Sequence, residues 1–517
     1  MANNKVQSPI KGWSGLSLME RKDLDLKALF IIFLVTTLFL FGYQAYLTFF
    51  VPPKAEKPQE QRPEIREAPQ LLLGTAREGK KPSNLVTFEF EKFRVVLSEE
   101  GAKIVSLLDK KYGKDLITEE EKRLNIYPLE LFTGDPASDE LLNFSRYEVS
   151  KQDNTITAKF KADGLEVLKV IENRGDHFVF KVKVSGIPMP FVNAGTHVKE
   201  GEFYTHTGPV LRIGEGLRRL DIGDIEGKEL ITGDISLAGE ESRYFFKGFA
   251  GKMDAVVFYR IDQKDSFTLV KPSTGELLLY AGAKEYARLK NIGLSDVIDY
   301  GSLKLIVKPL FVFMYWIYEH LGSWVVSIIV LTLIVRLLMF PLTYKSTVAM
   351  GKMAELTPKM QEIREKYKND PAKFQEEMMR LYQEVGFNPM SGCLPLLLQI
   401  PIFFALYKVL TITADLQLAK FLWVQSLAEK DPYYVLPIFM GITMIAQQFV
   451  SPSPEKSQNY IMFITSVVFT FLFASFPAGL VLYWTLNNVV NLLQTYVIKK
   501  MTFRGKAQPV KKKGKKR

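Results

Sequence analysis

The sequence predicts a multi-span α-helical membrane protein with six transmembrane helices and an all-β sandwich domain outside the bilayer. Three observations carry that prediction. Six apolar runs are nearly free of charge, although 24% of the 517 residues are Asp, Glu, Lys or Arg. Mean hydropathy is near zero because it averages these two unlike populations. Between about residue 85 and residue 290 no such run occurs, and apolar residues alternate with polar ones at period two. Lys and Arg also gather in the segments that six crossings would leave on one side.

Residues 1–27 hold Lys5, Lys11, Arg21, Lys22 and Lys27 and precede the first run, Ala28 to Phe50. That run exceeds the roughly 20 residues a bilayer requires. It is also longer than a signal-peptide core, and no small-x-small cleavage site follows it. It reads as an uncleaved signal anchor over 28–50 with a cytoplasmic N-terminus. Residues 51–84 follow with Pro52, Pro53, Pro58, Pro63, Pro69 and Pro82 among charges, a semi-extended linker.

Residues 85–300 are expected to form the sandwich. In "ITAKFKA" Ile156, Ala158 and Phe160 share one face against Thr157, Lys159 and Lys161. In "FVFKVKV" Phe178, Phe180, Val182 and Val184 do the same. His177, His197 and His206 lie here, and "FYTHTGPV" is a candidate sugar-binding loop. No metal-ligand spacing, nucleophile elbow or phosphate loop accompanies them, which favours a scaffold or docking domain over a catalyst.

Residues 302–321, "SLKLIVKPLFVFMYWIYEHL" (Ser302–Leu321), are aromatic-rich, charged at the ends and interrupted by Pro309. This composition predicts an amphipathic helix in the outer interface; the plainer reading is an extension of the next span. The five-span core is expected over 322–498, with spans near 322–344, 391–412, 433–451, 460–477 and 478–498. A helical hairpin over 346–387 separates the first two of these and is cytoplasmic on this count. Asp370 and Pro371 make an N-cap and first-position pair, and Gly386 is placed to end the helix. Met360, Met378, Leu381 and Tyr382 mark its apolar stripe, either an adaptable surface for apolar clients or the seal of a two-helix core.

The tail, 499–517, ends "RGKAQPVKKKGKKR" (Arg504–Arg517), with eight positive charges and no acid. It reads as a topology signal or as a contact for anionic lipid or RNA. Cys393 is the sole cysteine, so there is no disulfide framework and no Cys-based metal site.

The most costly residue is Arg336, in "VLTLIVRLLMFPLTYK" (Val330–Lys345). At about 1.5 Å rise per residue it lies roughly 18 Å from Trp324 and roughly 13 Å from Lys345 along the helix. A guanidinium at such depth costs at least about 2.5–3.5 kcal/mol. Thr332, Arg336 and Thr343 form one polar stripe. Asn487, Asn488, Asn491, Gln494 and Thr495 form another, with Trp484 a turn before Asn488. Gln399, Gln447 and Gln448 add further amides.

No Asp, Glu or His occurs in the six runs. Another span therefore offers Arg336 no salt bridge, and no carboxylate proton relay exists. The guanidinium is either satisfied by Thr, Asn and water as a structural residue, or it awaits an acidic segment of an incoming protein. Residue chemistry alone admits both. Neither a Walker-type loop nor a G-x-G-x-x-G occurs, so no nucleotide supplies work.

The stretches "IIVLTLIVRLLMFPLTYKSTVAMGKM", "NPMSGCLPLLLQIPIFFALYKVL", "DPYYVLPIFMGITM" and "FPAGLVLYWTLNNVVNLLQ" resemble the YidC/Oxa/Alb family of membrane insertases, in its Gram-negative type with a large periplasmic domain. The likeness covers essentially the whole chain. It implies a five-helix core enclosing a hydrophilic groove, a functional cytoplasmic hairpin, an added first span and a periplasmic sandwich. The sandwich is similar to sugar-mutarotase folds, an analogy that implies no activity.

Carried over by residue, the resemblance makes Arg336 the groove arginine and Thr332 the threonine one turn before it. With Trp484 and the polar-stripe residues Gln399, Asn488 and Asn491 they form the expected client-binding groove. Trp484 stands where many members have tyrosine, exchanging a hydroxyl for an indole N–H. The implied function is insertion and folding of inner-membrane proteins, alone or with the Sec translocon, without enzymatic chemistry, cofactor, metal or small-molecule substrate. The implied partners are nascent membrane proteins, the Sec translocon, the lipid bilayer and, through the tail, the ribosome. The implied location is the cell inner membrane, multi-pass, with both termini cytoplasmic and the large domain periplasmic. Competing readings are an envelope-complex scaffold, with the sandwich as its working part, and a small-anion transporter using the groove.

Overall fold

A computed structural model describes residues 68–69, 77, 81–162, 164–200, 205–301, 303–384, 394–452 and 456–503. The first apolar run, most of the Pro-rich stretch, Gly386, Cys393 and the basic end of the tail lie outside them.

Alternation along the chain becomes antiparallel pairing throughout. Strands β1 (Leu85–Glu89), β2 (Phe93–Ser98), β3 (Lys103–Asp109) and β4 (Lys114–Asp115) make one four-stranded sheet in that order. A twelve-stranded sheet takes in β5 (Leu131–Phe132), β6 (Glu148–Gln152), β7 (Thr155–Ala162), β8 (Leu165–Asn173), β9 (Phe178–Ser185) and β10 (Phe191–Thr196). Its remaining strands are β11 (Gly208–Ile213), β12 (Gly216–Arg219), β13 (Lys228–Glu241), β14 (Phe245–Arg260), β15 (Ser266–Pro272) and β16 (Glu276–Ala283). Ile156, Ala158 and Phe160 of β7 are buried as their period requires, with Phe178 and Phe180 of β9 in the same core. Three short helices, α1 (Glu119–Leu124), α2 (Pro136–Phe144) and α3 (Tyr286–Asn291), complete the sandwich.

The stretch expected as a semi-extended linker is held to the sandwich at three described points. Ala68 is buried and its carbonyl accepts from Lys228, the Pro69 carbonyl accepts from Tyr259, and Arg77 pairs with buried Glu130 at 2.8 Å. A buried carboxylate needs a cation, and this segment supplies one.

Helix α4 (Lys304–Leu321) buries Val307, Phe311, Met314, Tyr315 and Ile317 and exposes Leu305 and Trp316. It packs against α5 (Trp324–Leu338) and α9 (Leu394–Ile412). The expected single span near 322–344 is two helices, α5 and α6 (Phe340–Glu355), bent by 59°. Pro341 explains the break: it has no amide hydrogen to continue α5, but in the first turn of α6 none is needed. Helix α6 also runs ten residues into the stretch expected as hairpin. The hairpin itself is α7 (Thr357–Lys366) and α8 (Pro371–Glu384), and Asp370 caps α8 through Lys373 N–H at 3.1 Å.

Three helices follow: α10 (Val435–Val450), α11 (Lys456–Phe473) and α12 (Ala478–Phe503). Among the described residues no single helix is long and apolar enough to cross a membrane alone, and α5 with α6 qualifies as a bent pair. The outward faces are apolar all the same, with Leu337, Phe449 and Phe471 each more than 70% exposed. A Cβ on Gly479 would lie 2.9 Å from a Leu410 methyl and 3.1 Å from the Leu427 carbonyl, so this glycine lets α12 approach α9.

Candidate functional site

The break at Pro341 puts Arg336 in the last turn of α5 rather than mid-helix. There the helix carbonyls lack intrahelical donors and carry partial negative charge, which favours a cation. Helix α12 packs across this turn. Its Gln494 Nε2 donates to the freed Arg336 carbonyl at 3.4 Å.

The guanidinium meets α12 edge on. Nε donates to Asn487 Oδ1 at 2.7 Å, and Nη1 donates to Asn491 Oδ1 at 3.3 Å. Arginine has only donors, so both amides must turn their oxygens toward it. The Asn487 Nδ2 donates to the Tyr483 carbonyl one turn back, at 3.0 Å. The Tyr483 hydroxyl, fully buried, accepts from Gln399 Nε2 on α9. A chain of neutral polar groups thus runs from α9 through α12 to Arg336, which is 9% exposed. Among the described residues no carboxylate pairs with it.

Of the six expected groove residues, Arg336 and Asn491 are in direct contact, and Gln399 joins them through Tyr483 and Asn487. Thr332 is one turn from Arg336 and buried, but its hydroxyl donates to the Ile328 carbonyl of its own helix. Thr343 bonds the Met339 carbonyl beyond the bend, so the expected Thr332–Arg336–Thr343 stripe is split between two helices.

Asn488 turns to α10, where its amide meets Thr443 Oγ1 at 3.1 Å, and Gln447 of α10 reaches Thr495. The expected one-sided stripe on α12 therefore serves two neighbours, because Asn488 is about 100° around the helix from Asn487. Trp484 meets Phe403 edge to face and Phe473 at a tilt, at centroid distances of 5.1 and 5.3 Å, in an aromatic cluster.

In the hairpin, Met378, Leu381 and Tyr382 are buried and Met360 is half-buried. Met379, beside them, is 55% exposed.

Tyr483 and Lys408 were not anticipated. Tyr483 reads in sequence as one more aromatic of an apolar run. Lys408 lies inside α9, is 5% exposed, and pairs at 3.2 Å with Asp299 from the segment that follows the sandwich. Its signal was present, a lysine inside "FALYKVL", but its partner is 109 positions away.

Two segments of the chain match known families. Residues 316–506 match the family described as 60Kd inner membrane protein, and residues 85–313 match the YidC periplasmic domain. Together they define a helical inner-membrane protein carrying a periplasmic β domain. The chain is 49% identical to the membrane protein insertase YidC of Aquifex aeolicus over 495 residues, covering 94% of this chain and 98% of the relative. It is 34% identical to that of Campylobacter jejuni, covering 76% of this chain and 79% of the relative. A crystal structure of an active YidC insertase aligns with a TM-score of 0.42 at 17% identity, over 90% of this chain and 99% of that one. The chain belongs to the YidC family of membrane protein insertases.

Proposed function

We propose that this chain inserts and folds inner-membrane proteins through a hydrophilic groove centred on Arg336, alone or with the Sec translocon. The observation that carries the reading is a buried guanidinium held by two amide oxygens and, among the described residues, by no carboxylate. Such a cation in a low-dielectric site attracts an anionic group more strongly than it would in water. An acidic segment of a client entering the groove supplies that group, and pairing offsets the cost of moving a carboxylate out of water. The client's apolar stretch meanwhile slides along the exposed apolar faces of the core. Insertion is then driven by partitioning, as a chaperone-like and non-enzymatic activity that needs no cofactor, metal or small-molecule substrate.

The proposed groove comprises Arg336, Thr332, Gln399, Asn491 and the neighbouring Trp484 and Asn488. The hairpin receives clients at the cytoplasmic entrance, with exposed Met379 as its apolar contact and Met360, Met378, Leu381 and Tyr382 supporting it from the less exposed side. Helix α4 lies in the outer interface beneath the periplasmic sandwich. Both termini are cytoplasmic, and the basic tail contacts anionic lipid or the ribosome.

The test uses liposomes containing only this protein and a single-span client with an acidic outer tail. Losing a charge-assisted contact of about 1.5–3 kcal/mol predicts a fall of roughly 10- to 100-fold in insertion for Arg336→Ala. Arg336→Lys keeps a measurable share. Wild-type insertion by a folded Arg336→Ala protein would sink the electrostatic reading and leave hydrophobic sliding and the hairpin.

A further inference from the structure

We infer that Asn487 is a positioning residue that turns one edge of the Arg336 guanidinium toward the client, and that Asn491 is the placeholder a client carboxylate displaces. The inference rests on the proposed role of Arg336 and adds how the cation is aimed.

The two contacts are unequal. Asn487 Oδ1 takes Nε at 2.7 Å, a full hydrogen bond, whereas Asn491 Oδ1 takes Nη1 at 3.3 Å, beyond the usual range for N–H···O. Asn487 cannot swivel, because its Nδ2 is committed to the Tyr483 carbonyl at 3.0 Å. Tyr483 is itself fully buried and bonded by Gln399 of α9. The Nε side of the guanidinium is thus locked by a chain anchored in a second helix.

The remaining N–H groups have no protein acceptor among the described residues. What is on offer is the Nη1–Nη2 edge, and two parallel N–H groups match the two oxygens of a carboxylate. A carboxylate oxygen accepts more strongly than the amide oxygen of Asn491 already there, so the exchange runs toward the client. Neutral holders are essential to this: a fixed carboxylate at position 487 would form an internal ion pair and quench the site.

The experiment measures insertion of three versions of one single-span client, with acidic, neutral and basic tails, into liposomes holding the full chain. The readout is the acidic-to-neutral ratio. For Asn487→Asp that ratio falls by roughly tenfold and the basic-to-neutral ratio rises, as expected when Arg336 is neutralised from within. For Asn487→Leu, which keeps bulk but removes the oxygen, the acidic-to-neutral ratio falls severalfold. Asn491→Leu keeps or raises it.

A purely structural role for Asn487 predicts equal loss for all three clients, with both ratios at wild-type values, and that result overturns the inference. If instead Arg336→Ala leaves the acidic-to-neutral ratio at its wild-type value, the reading of Arg336 has failed. If Arg336→Ala collapses the ratio while Asn487→Asp and Asn487→Leu preserve it, only the positioning role has failed.

Discussion

In the sandwich, Lys103 lies 3.0 Å from Glu130, Lys247 2.6 Å from Glu121 and Arg288 2.9 Å from Asp109, all almost wholly buried. In the helical core Arg336 is buried to a similar degree, and among the described residues its guanidinium bonds only Asn487 and Asn491. The sandwich also holds an intermediate case. Lys169 is buried with no carboxylate at bonding distance among the described residues, and its Nζ donates to the carbonyls of Gly101 and Leu129 at 2.6 and 2.7 Å. Burial pushes its ammonium down to about 7, so it can relieve the penalty by releasing its proton.

Arginine has no such escape near neutral pH. Each of the buried sandwich cations named here is either paired with an acid or able to discharge. Among the described residues Arg336 does neither, and the proposed exchange of partners rests on that contrast. Lys408 sharpens the contrast: it too lies within an apolar helix, yet Asp299 is brought to it from the sandwich side.

The largest effect is expected where a pair is broken on the sandwich side. Burial alone would raise the pKa of Glu130, yet Arg77 and Lys103 hold its carboxyl below the usual value. Glu130→Ala leaves two buried cations facing no acid and should cost about 3–5 kcal/mol. Urea unfolding of the full chain in detergent, followed by circular dichroism, measures it. A loss below about 1 kcal/mol would remove the distinction between paired and unpaired cations on which the comparison stands.

Lys169 gives the next effect, and its sign follows from the depressed pKa. Unfolded lysine titrates near 10.4, so between about pH 7 and pH 10 the unfolded chain binds a proton that the native chain does not. Stability of the sandwich therefore rises with pH across that window and the slope fades below about pH 7. Between pH 7.5 and 9.5 the gain is about 2–3 kcal/mol, from about 1.4 kcal/mol per unit at full slope. In Lys169→Met this contribution to the slope disappears. The same slope in wild type and variant would show that Lys169 stays charged and that backbone carbonyls suffice as partners.

How much of this was legible in the sequence depended on distance along the chain. Ile156, Ala158 and Phe160 announced β7 because one face of a strand reads out at every second residue. Arg336 and the asparagines stood out because polar groups are rare in apolar runs, and Asp370–Pro371 named its own cap. Helix rotation was not legible: Asn487 and Asn488 are neighbours in sequence but serve α5 and α10 separately. Partners far apart were hidden as well, as with Asp299 for Lys408 and Arg77 for Glu130. Pro341 did carry the signal for the bend. A hydropathy count of spans overrides it because apolar residues continue on both sides.

The smallest expected effect tests where the polar side of α12 ends. Tyr483 and Trp484 are adjacent, but their rings belong to different environments. Tyr483 accepts from Gln399 in the chain that leads to Arg336, while Trp484 packs edge-on and tilted among Phe403, Phe469 and Phe473. The indole N–H of Trp484 has no hydrogen-bond partner among the described residues. Trp484→Phe keeps an aromatic ring in that cluster and should change insertion of the acidic-tailed client by less than about twofold, since twofold is only ~0.4 kcal/mol. Tyr483→Phe removes an acceptor from a buried amide, worth about 1–3 kcal/mol, and lowers insertion further. The reverse order, with Trp484→Phe severe and Tyr483→Phe mild, would put the client against the aromatic cluster. The amide-lined side of α12 would then be a structural seam rather than the path the client takes.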